Sequence, residues 1–259
     1  MTHSATCVIV PTYNEAENLD ELLEQLLALP LALSVIVVDD NSPDGSGRLA
    51  DQWAGHHPER VRVIHRPRKL GLGTAYLAGF ELALRDAAVR QVITMDADLS
   101  HRPHYIPALL QMGRQMHVVI GSRYVPGGGH HHWGWTRMAL SRTANFITHL
   151  ALGLVARDTT AGFRLYRREV LESIPLAAVQ SSGYAFQIEM LFLCQRRGWR
   201  IGELPIIFEE RQRGQTKLSR QELLLAQETV LRLLWRRLKG VEPQRPAAEV
   251  GDWRWEVGD

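Results

Sequence analysis

Two cysteines in 259 residues, Cys7 and Cys194, leave this chain without a disulfide framework, and no zinc-ligand spacing accompanies them. Both lie in apolar runs, which fits a reducing compartment. An excess of one charge is missing too: 30 Lys and Arg face 28 Asp and Glu, a formal net charge of +2. So even a balance argues against a nucleic-acid partner, and any anionic partner must be met by a local patch. Long hydrophobic runs are also absent. The most apolar stretches, Phe146 to Val155 and Leu223 to Leu238, are too short or too broken by charge for the about 20 residues a bilayer span needs. The opening MTHSATCVIVPTYN carries no basic leader and no cleavage-like site, so no signal peptide is expected. A protein of this kind that works at a membrane lies on it.

What is present is an ordinary globular composition, 45% hydrophobic and 22% charged, enough for one substantial core. Apolar, β-branched runs at Thr6 to Val10, Val35 to Val38, Val61 to Ile64, Val92 to Met95 and Val118 to Ile120 read as buried strands. Glu15 to Leu29 and Gly73 to Leu84 carry apolar residues at helical spacing, and Asn14 with Glu17 resembles a capping box opening the first helix. This alternation predicts an α/β fold with a mostly parallel sheet and helices on both faces. Further on, a Gly- and His-rich loop (Val125 to Trp135) precedes an amphipathic helix from about Met138 to Leu154. A strand, Ile201 to Phe208, then leads through the basic segment Arg211 to Lys217 into a helix, Gln221 to Lys239. One domain over 1–239 is expected, followed by a linker-like or disordered tail over 240–259 containing Pro243, Pro246, Trp253 and Trp255. No internal repeat is visible.

The chemistry concentrates at strand ends, where open parallel sheets bind ligands. Asp96 and Asp98 end the fourth strand one residue apart, so both carboxylates can converge on a hard cation. Pro11, Tyr13 and Glu15 follow the first strand. Asp39 and Asp40 end the second, within Asp-Asn-Ser-Pro-Asp-Gly, which taken alone is turn chemistry. Gly71-Leu-Gly73-Thr lacks the third glycine of a dinucleotide fingerprint and reads as a tight turn opening a helix. His130, His131 and His132 are consecutive, which suits a solvated or acceptor-gating loop better than a metal site.

Taken in order, PTYNEAENL, VVDDNSPDG, KLGLGTAYLAGF, MDADLSH, GSRY, AGFRLYRR and RQRGQTKLS resemble family 2 glycosyltransferases of the GT-A (Rossmann-like) fold. Within that family they are similar to dolichol-phosphate (polyprenol monophosphate) mannose synthases, over Cys7 to Leu238. The resemblance implies nucleotide-sugar contacts from Pro11, Tyr13, Glu15, Val38, Asp40, Asp96, Ala97 and Asp98, with a carboxylate suited to a guanine edge. It implies Mg2+ or Mn2+ held by Asp96 and Asp98, with Ser100 where some relatives carry Gln. It implies cationic, catalytic roles for Arg123, Arg211 and Lys217 beside Asp98, and acceptor-phosphate contacts from Arg137, Ser141 and Asn145. The implied donor and acceptor are GDP-mannose and a polyprenyl (dolichyl) phosphate. The expected location is cytoplasmic, peripheral on a membrane's cytoplasmic face, with a possible membrane-anchoring partner subunit.

A phosphate acceptor arrives already anionic, with a second pKa near about 6, and needs positioning more than a base. A hydroxyl acceptor would need one, and Asp158 in RDTTAGFR is the nearest candidate; it is equally readable as a helix cap before Thr159 and Thr160. A UDP-glucose donor and a hydroxyl-acceptor polysaccharide transferase are the remaining alternatives. Leu224, Leu231, Leu234, Trp235 and Leu238 beside Arg232, Arg236, Arg237 and Lys239 suit a helix lying among anionic headgroups, or one packing its leucines on the domain.

Overall fold

The computed structural model describes residues 4–131, 135–209 and 220–240. In chain order the regular elements are β1 (Thr6–Thr12), α1 (Ala16–Ala28), β2 (Leu33–Asp39), α2 (Ser46–His56), β3 (Val61–His65), α3 (Leu72–Arg85) and β4 (Gln91–Thr94). They continue with α4 (Ile106–Met112), β5 (Val118–Ser122), β6 (Gly129–His130), α5 (Trp135–Leu152), β7 (Arg164–Arg167), α6 (Arg168–Ser173) and α7 (Gly183–Arg196). Last come β8 (Ile201–Pro205), β9 (Ile207–Phe208) and α8 (Arg220–Leu238).

Seven strands form one sheet in the order β3-β2-β1-β4-β7-β5-β8, and β6 pairs with β9 in a small second sheet. All neighbours in the large sheet are parallel except at β7, which runs antiparallel to both β4 and β5. Strand residues alternate between two cores. Cys7, Ile9, Ile36 and Val38 face α3 and α7, whereas Val8, Val10, Val35 and Val37 face α1 and α4. That period of two on both faces is why these strands read as continuous apolar runs.

The expected single strand Ile201 to Phe208 is two strands in two different sheets, separated at Ile206. Where only a motif was legible, at RLYR, the chain forms β7. Arg164 there is fully buried, and its guanidinium donates to the carbonyls of Ala161 (2.8 Å), Thr159 (2.9 Å) and Gln187 (2.7 Å). Buried carbonyls that lack a partner are costly, so one arginine closes the turn before β7 and ties it to α7.

The order places β1 and β4 side by side where the connections change direction, the position at which such sheets bind ligands. Because β7 is antiparallel, the residues before it join the carboxyl ends of β1, β2, β4 and β5 on one rim.

Candidate active site

All three non-glycine residues with positive φ among the described residues sit on this rim: Asn14 (59°) after β1, Asn41 (60°) after β2 and Leu99 (61°) after β4. Asn tolerates the left-handed region; for Leu it costs roughly 1–2 kcal/mol, and the surrounding bonds must hold it there. The first two loops are joined. The backbone N–H groups of Asn14, Glu15 and Ala16 donate to Ser42 Oγ (3.1 Å), Ser46 Oγ (2.9 Å) and Asp44 Oδ2 (2.9 Å). Thus the capping box expected from Asn14 and Glu17 does not form. Glu15 stands at the N-cap without a side-chain cap bond, and α1 is capped from the loop after β2.

Asp39 does serve the turn, accepting from Ser42 N–H at 3.3 Å. Its neighbour Asp40 faces elsewhere: it is buried, paired with Arg66, and accepts from the backbone N–H of Leu70 (3.1 Å) and Gly71 (3.4 Å). Arg66 in turn donates to Thr74 Oγ1 (2.7 Å) and the Gly71 carbonyl (3.1 Å), fixing the start of α3. Gly71, at φ 96°, opens that helix as the glycine pattern indicated. Tyr13 lies half-exposed opposite this loop, with Lys69 Nζ 4.2 Å from its ring centroid. Pro11, near the end of β1, is partly buried, and Glu15 accepts from Asn18 Nδ2 at 2.8 Å. Val38 and Ala97 are buried, backbone included, beneath this rim.

After β4, Asp96 is partly open, its side chain 31% exposed, and Oδ1 accepts from Tyr76 Oη at 3.2 Å. Burial, reinforced by Asp96 itself, pushes the Tyr76 phenol well above its usual pKa, so it remains a donor. Asp98 is buried and accepts from Ser100 N–H (3.1 Å) and Ser100 Oγ (2.5 Å), a turn that encloses the strained Leu99. Ser100 is buried beside Asp98, and its hydroxyl donates to that carboxylate. His101, to which the sequence assigned nothing, accepts from Asp96 N–H through Nδ1 (3.0 Å) and stacks on Phe163 at 5.2 Å. Burial lowers its pKa against the pull of Asp96 and Asp98, so the ring is neutral.

This donor set suits a hard divalent cation. Asp96 and Asp98 could offer it carboxylate oxygens, and Gly162 keeps the approach to Asp96 open, since a Cβ there would stand 3.4 Å from Asp96 Oδ1. Among the described residues no group of three or more His, Cys, Asp or Glu could hold a metal ion by itself.

Across β7, Arg123 forms a bidentate pair with Asp158: Nε and Nη2 each donate at 2.7 Å, and the Arg123 N–H adds a third bond at 3.0 Å. Asp158 is fully buried and also accepts from Ala161 N–H at 3.1 Å. Burial would raise its pKa, but the Arg123 charge outweighs burial and the carboxylate is held below its usual range. Arg123 is raised correspondingly, Asp158 overcoming the cost of burial. Asp158 therefore neither caps a helix, since none begins after it, nor stands ready as a base.

Arg123 Nη2 further donates to Thr160 Oγ1 at 2.9 Å, two residues from the Gly162 that faces Asp96, so cation and acidic pair share one wall. Asn145 accepts from the Thr159 N–H and hydroxyl, both at 2.8 Å, and holds that wall from α5. Ser141 Oγ lies 2.7 Å from Tyr124 Oη, one residue beyond Arg123. Arg211 and Lys217, the Arg137 side chain, His132 and the tail from 241 onward lie outside the described residues. His130 packs edge-on to Tyr124 and Phe208, and His131 pairs with Glu209 at 3.2 Å; among the described residues neither belongs to a group of three metal donors.

The family model for glycosyl transferase family 2 matches residues 7–174. The chain is 47% identical over 215 residues to a polyprenol monophosphomannose synthase of Mycolicibacterium smegmatis, covering 83% of this chain and 81% of that protein. It is 45% identical over 211 residues to an undecaprenyl-phosphate mannosyltransferase of Micrococcus luteus, covering 82% and 86%. Its fold is similar to glucosyl-3-phosphoglycerate synthase from Mycobacterium tuberculosis, solved with Mn2+, UDP and glucosyl-3-phosphoglycerate (TM-score 0.62, 20% identity, 96% of this chain and 83% of that one). Mannosyl-3-phosphoglycerate synthase from Rubrobacter xylanophilus gives a TM-score of 0.63 at 20% identity, over 92% and 75%. With the matched span running from β1 through the acidic pair to α6, and two relatives near half identity over four fifths of its length, the chain belongs to glycosyl transferase family 2.

Proposed function

We propose that this protein transfers mannose from GDP-mannose to a polyprenyl monophosphate, with inversion at the anomeric carbon, while resting on a membrane surface. The observation that carries the reading is one continuous wall, Thr160 to Gly162, with the Arg123 guanidinium at one end and Asp96 at the other. The printed names of the two curated relatives support the sugar and the class of acceptor.

Asp96 and Asp98 would hold Mg2+ or Mn2+, which when bound supplies Lewis-acid neutralisation of charge on the departing diphosphate. The nucleotide lies along Pro11, Tyr13 and Glu15, over the loop that Asp40 and Arg66 hold in place. Asp40 is already engaged there, so it shapes the base pocket through that loop. The acceptor phosphate meets Arg123, near Ser141 and the Asn145-held turn, and the resemblance adds Arg137, Arg211 and Lys217 as cations for the two phosphate groups. One phosphate oxygen attacks the anomeric carbon as the bond to GDP breaks on the opposite face, giving β-mannosyl phosphate. No proton has to leave the nucleophile, which agrees with Asp158 being engaged with Arg123.

The acceptor's tail calls for an apolar surface near this wall, and α5 offers one. Phe146, Ile147, Leu150 and, just beyond, Val155 are exposed, as are Leu231, Trp235 and Leu238 on α8, which packs against α5. Arg237 donates to the Ala151 carbonyl at 2.8 Å, and Lys239 sits over Trp235 at 3.8 Å. Cations bordering exposed aromatic and aliphatic side chains suit an anionic headgroup layer. Among the described residues no helix is long and apolar enough to cross a membrane.

The test is a donor screen: labelled GDP-mannose or UDP-glucose with Mn2+ and a short polyprenyl phosphate, followed by organic extraction. Mannose in the organic phase is the expected result. Glucose in its place would overturn the donor, and no lipid-linked sugar from either would overturn the acceptor.

A further inference from the structure

We propose a second, small-anion binding site on the edge of the sheet opposite the catalytic rim, specific for a compact di- or polyphosphate group. It goes beyond the transferase reading and does not depend on it. The site is a cavity of about 440 Å3 where β4 begins, β7 ends and α4 gives way to β5. Arg90, Gln91, Arg114, Arg167 and Arg168 line it, with Glu169 and Glu172 from α6.

Its cations divide into two sets. Arg167 and Arg168 are held in place: Arg167 donates to the carbonyls of Gly113 (2.9 Å) and Arg114 (2.7 Å). Arg168 donates to those of Leu84 (2.7 Å), Asp86 (2.7 Å) and Val89 (3.1 Å), and to Glu172 at 2.7 Å. Arg167 also pairs with Glu169 at 3.6 Å, so the two fixed guanidinium groups carry carboxylate partners and shape the wall, and the uncompensated charge belongs to Arg90 and Arg114. Arg90 and Arg114 are exposed, and no side-chain hydrogen bond or ion pair holds either among the described residues. The Gln91 side-chain amide is similarly without a partner. Four guanidinium groups against two carboxylates leave the lining with an excess of two positive charges, matched to a dianion. Arg167 also sits beside His117, whose pKa is lowered by burial and then by Arg167 and Arg200, so the field is felt one residue away.

Two unpartnered forks on either side of a fixed pair can grip neighbouring phosphate oxygens bidentately, which a point charge cannot do. The cavity lies outside the catalytic rim and shares no residue with it.

The experiment is calorimetric titration of metal-free protein with pyrophosphate at constant ionic strength, with chloride as the exchanged anion, comparing the wild type with Arg90→Ala/Arg114→Ala. GDP binding and the melting temperature serve as controls. The expected result is a pyrophosphate site weakened at least tenfold in the double variant, with GDP affinity and melting unchanged. A parallel arm measures flotation with phosphatidylglycerol vesicles. Loss of pyrophosphate binding with flotation unchanged supports a soluble ligand, and loss of both supports one that a lipid headgroup can also supply; loss of flotation with an unchanged pyrophosphate titration would overturn the proposal. Identical titrations and identical flotation in both proteins would overturn the proposal.

Discussion

Asp158→Asn probes the Arg123 pair directly. The substitution keeps the side chain's shape but removes its charge and turns an N–H2 group toward donors of Arg123. Asp158 is fully buried and Arg123 is only 7% exposed, so the remaining cation has little water to fall back on. Breaking one side of such a pair costs about 3–5 kcal/mol. At roughly 2–4 °C per kcal/mol for a chain of this size, the melting temperature should fall by on the order of 10 °C. The loss also has a pH signature. Asp158 has a lower pKa folded than unfolded, so its contribution is present above the unfolded value and disappears as pH falls through the folded one. The gap between wild type and variant should therefore be constant from neutral pH down to about 5 and close below about 4. Replacing both partners, Arg123→Met with Asp158→Leu, should recover much of the stability while transfer stays lost, because an apolar pair removes the stranded charge. Thermal denaturation followed by circular dichroism, with transfer measured on the same samples, decides it. A variant that melts within about 2 °C of wild type yet is inactive would refute this reasoning and return Asp158 to the role of base.

Asp98→Ala should lower turnover by about 3–4 kcal/mol of transition-state stabilisation, the scale of losing one preorganised electrostatic contact. Its melting temperature should fall less than that of Asp158→Asn, since the Arg123–Asp158 pair stays intact, and manganese titration of activity checks the assignment. Gly79→Ala should destabilise by about 1–3 kcal/mol without touching the site, because its Cβ would lie 2.4 Å from Ile9 Cγ2 where α3 crosses β1; urea denaturation reads this. Trp235→Ser with Leu238→Ser should weaken vesicle flotation by about 1.5–3 kcal/mol per side chain at most, and leave transfer to a short-chain acceptor in detergent intact.

The strands were legible because both of their faces are buried, and the two carboxylates because they follow the end of a strand one residue apart. What could not be read has physical causes. β7 has four residues, three of them Arg or Tyr, and its apolar face depends on neighbours that are distant in sequence. α7 has ten buried residues on nearly every side, so GYAFQIEMLFLCQR shows no amphipathic stripe. The role of Asp158 was hidden because its partner lies 35 positions away, while its local context, Asp-Thr-Thr, is that of a cap. His101 gave no signal, since a residue that holds a loop by accepting from a backbone N–H needs no special spacing in the chain.

The first turn of α1 is held by side chains from positions 42, 44 and 46. Two recognition segments about 30 residues apart thus behave as one module, and neither can be exchanged alone. Transplanting the stretch after the opening strand from a cousin with another nucleotide preference would leave three amide hydrogens facing strangers. Respecifying the donor in this scaffold requires moving both pieces as a matched set.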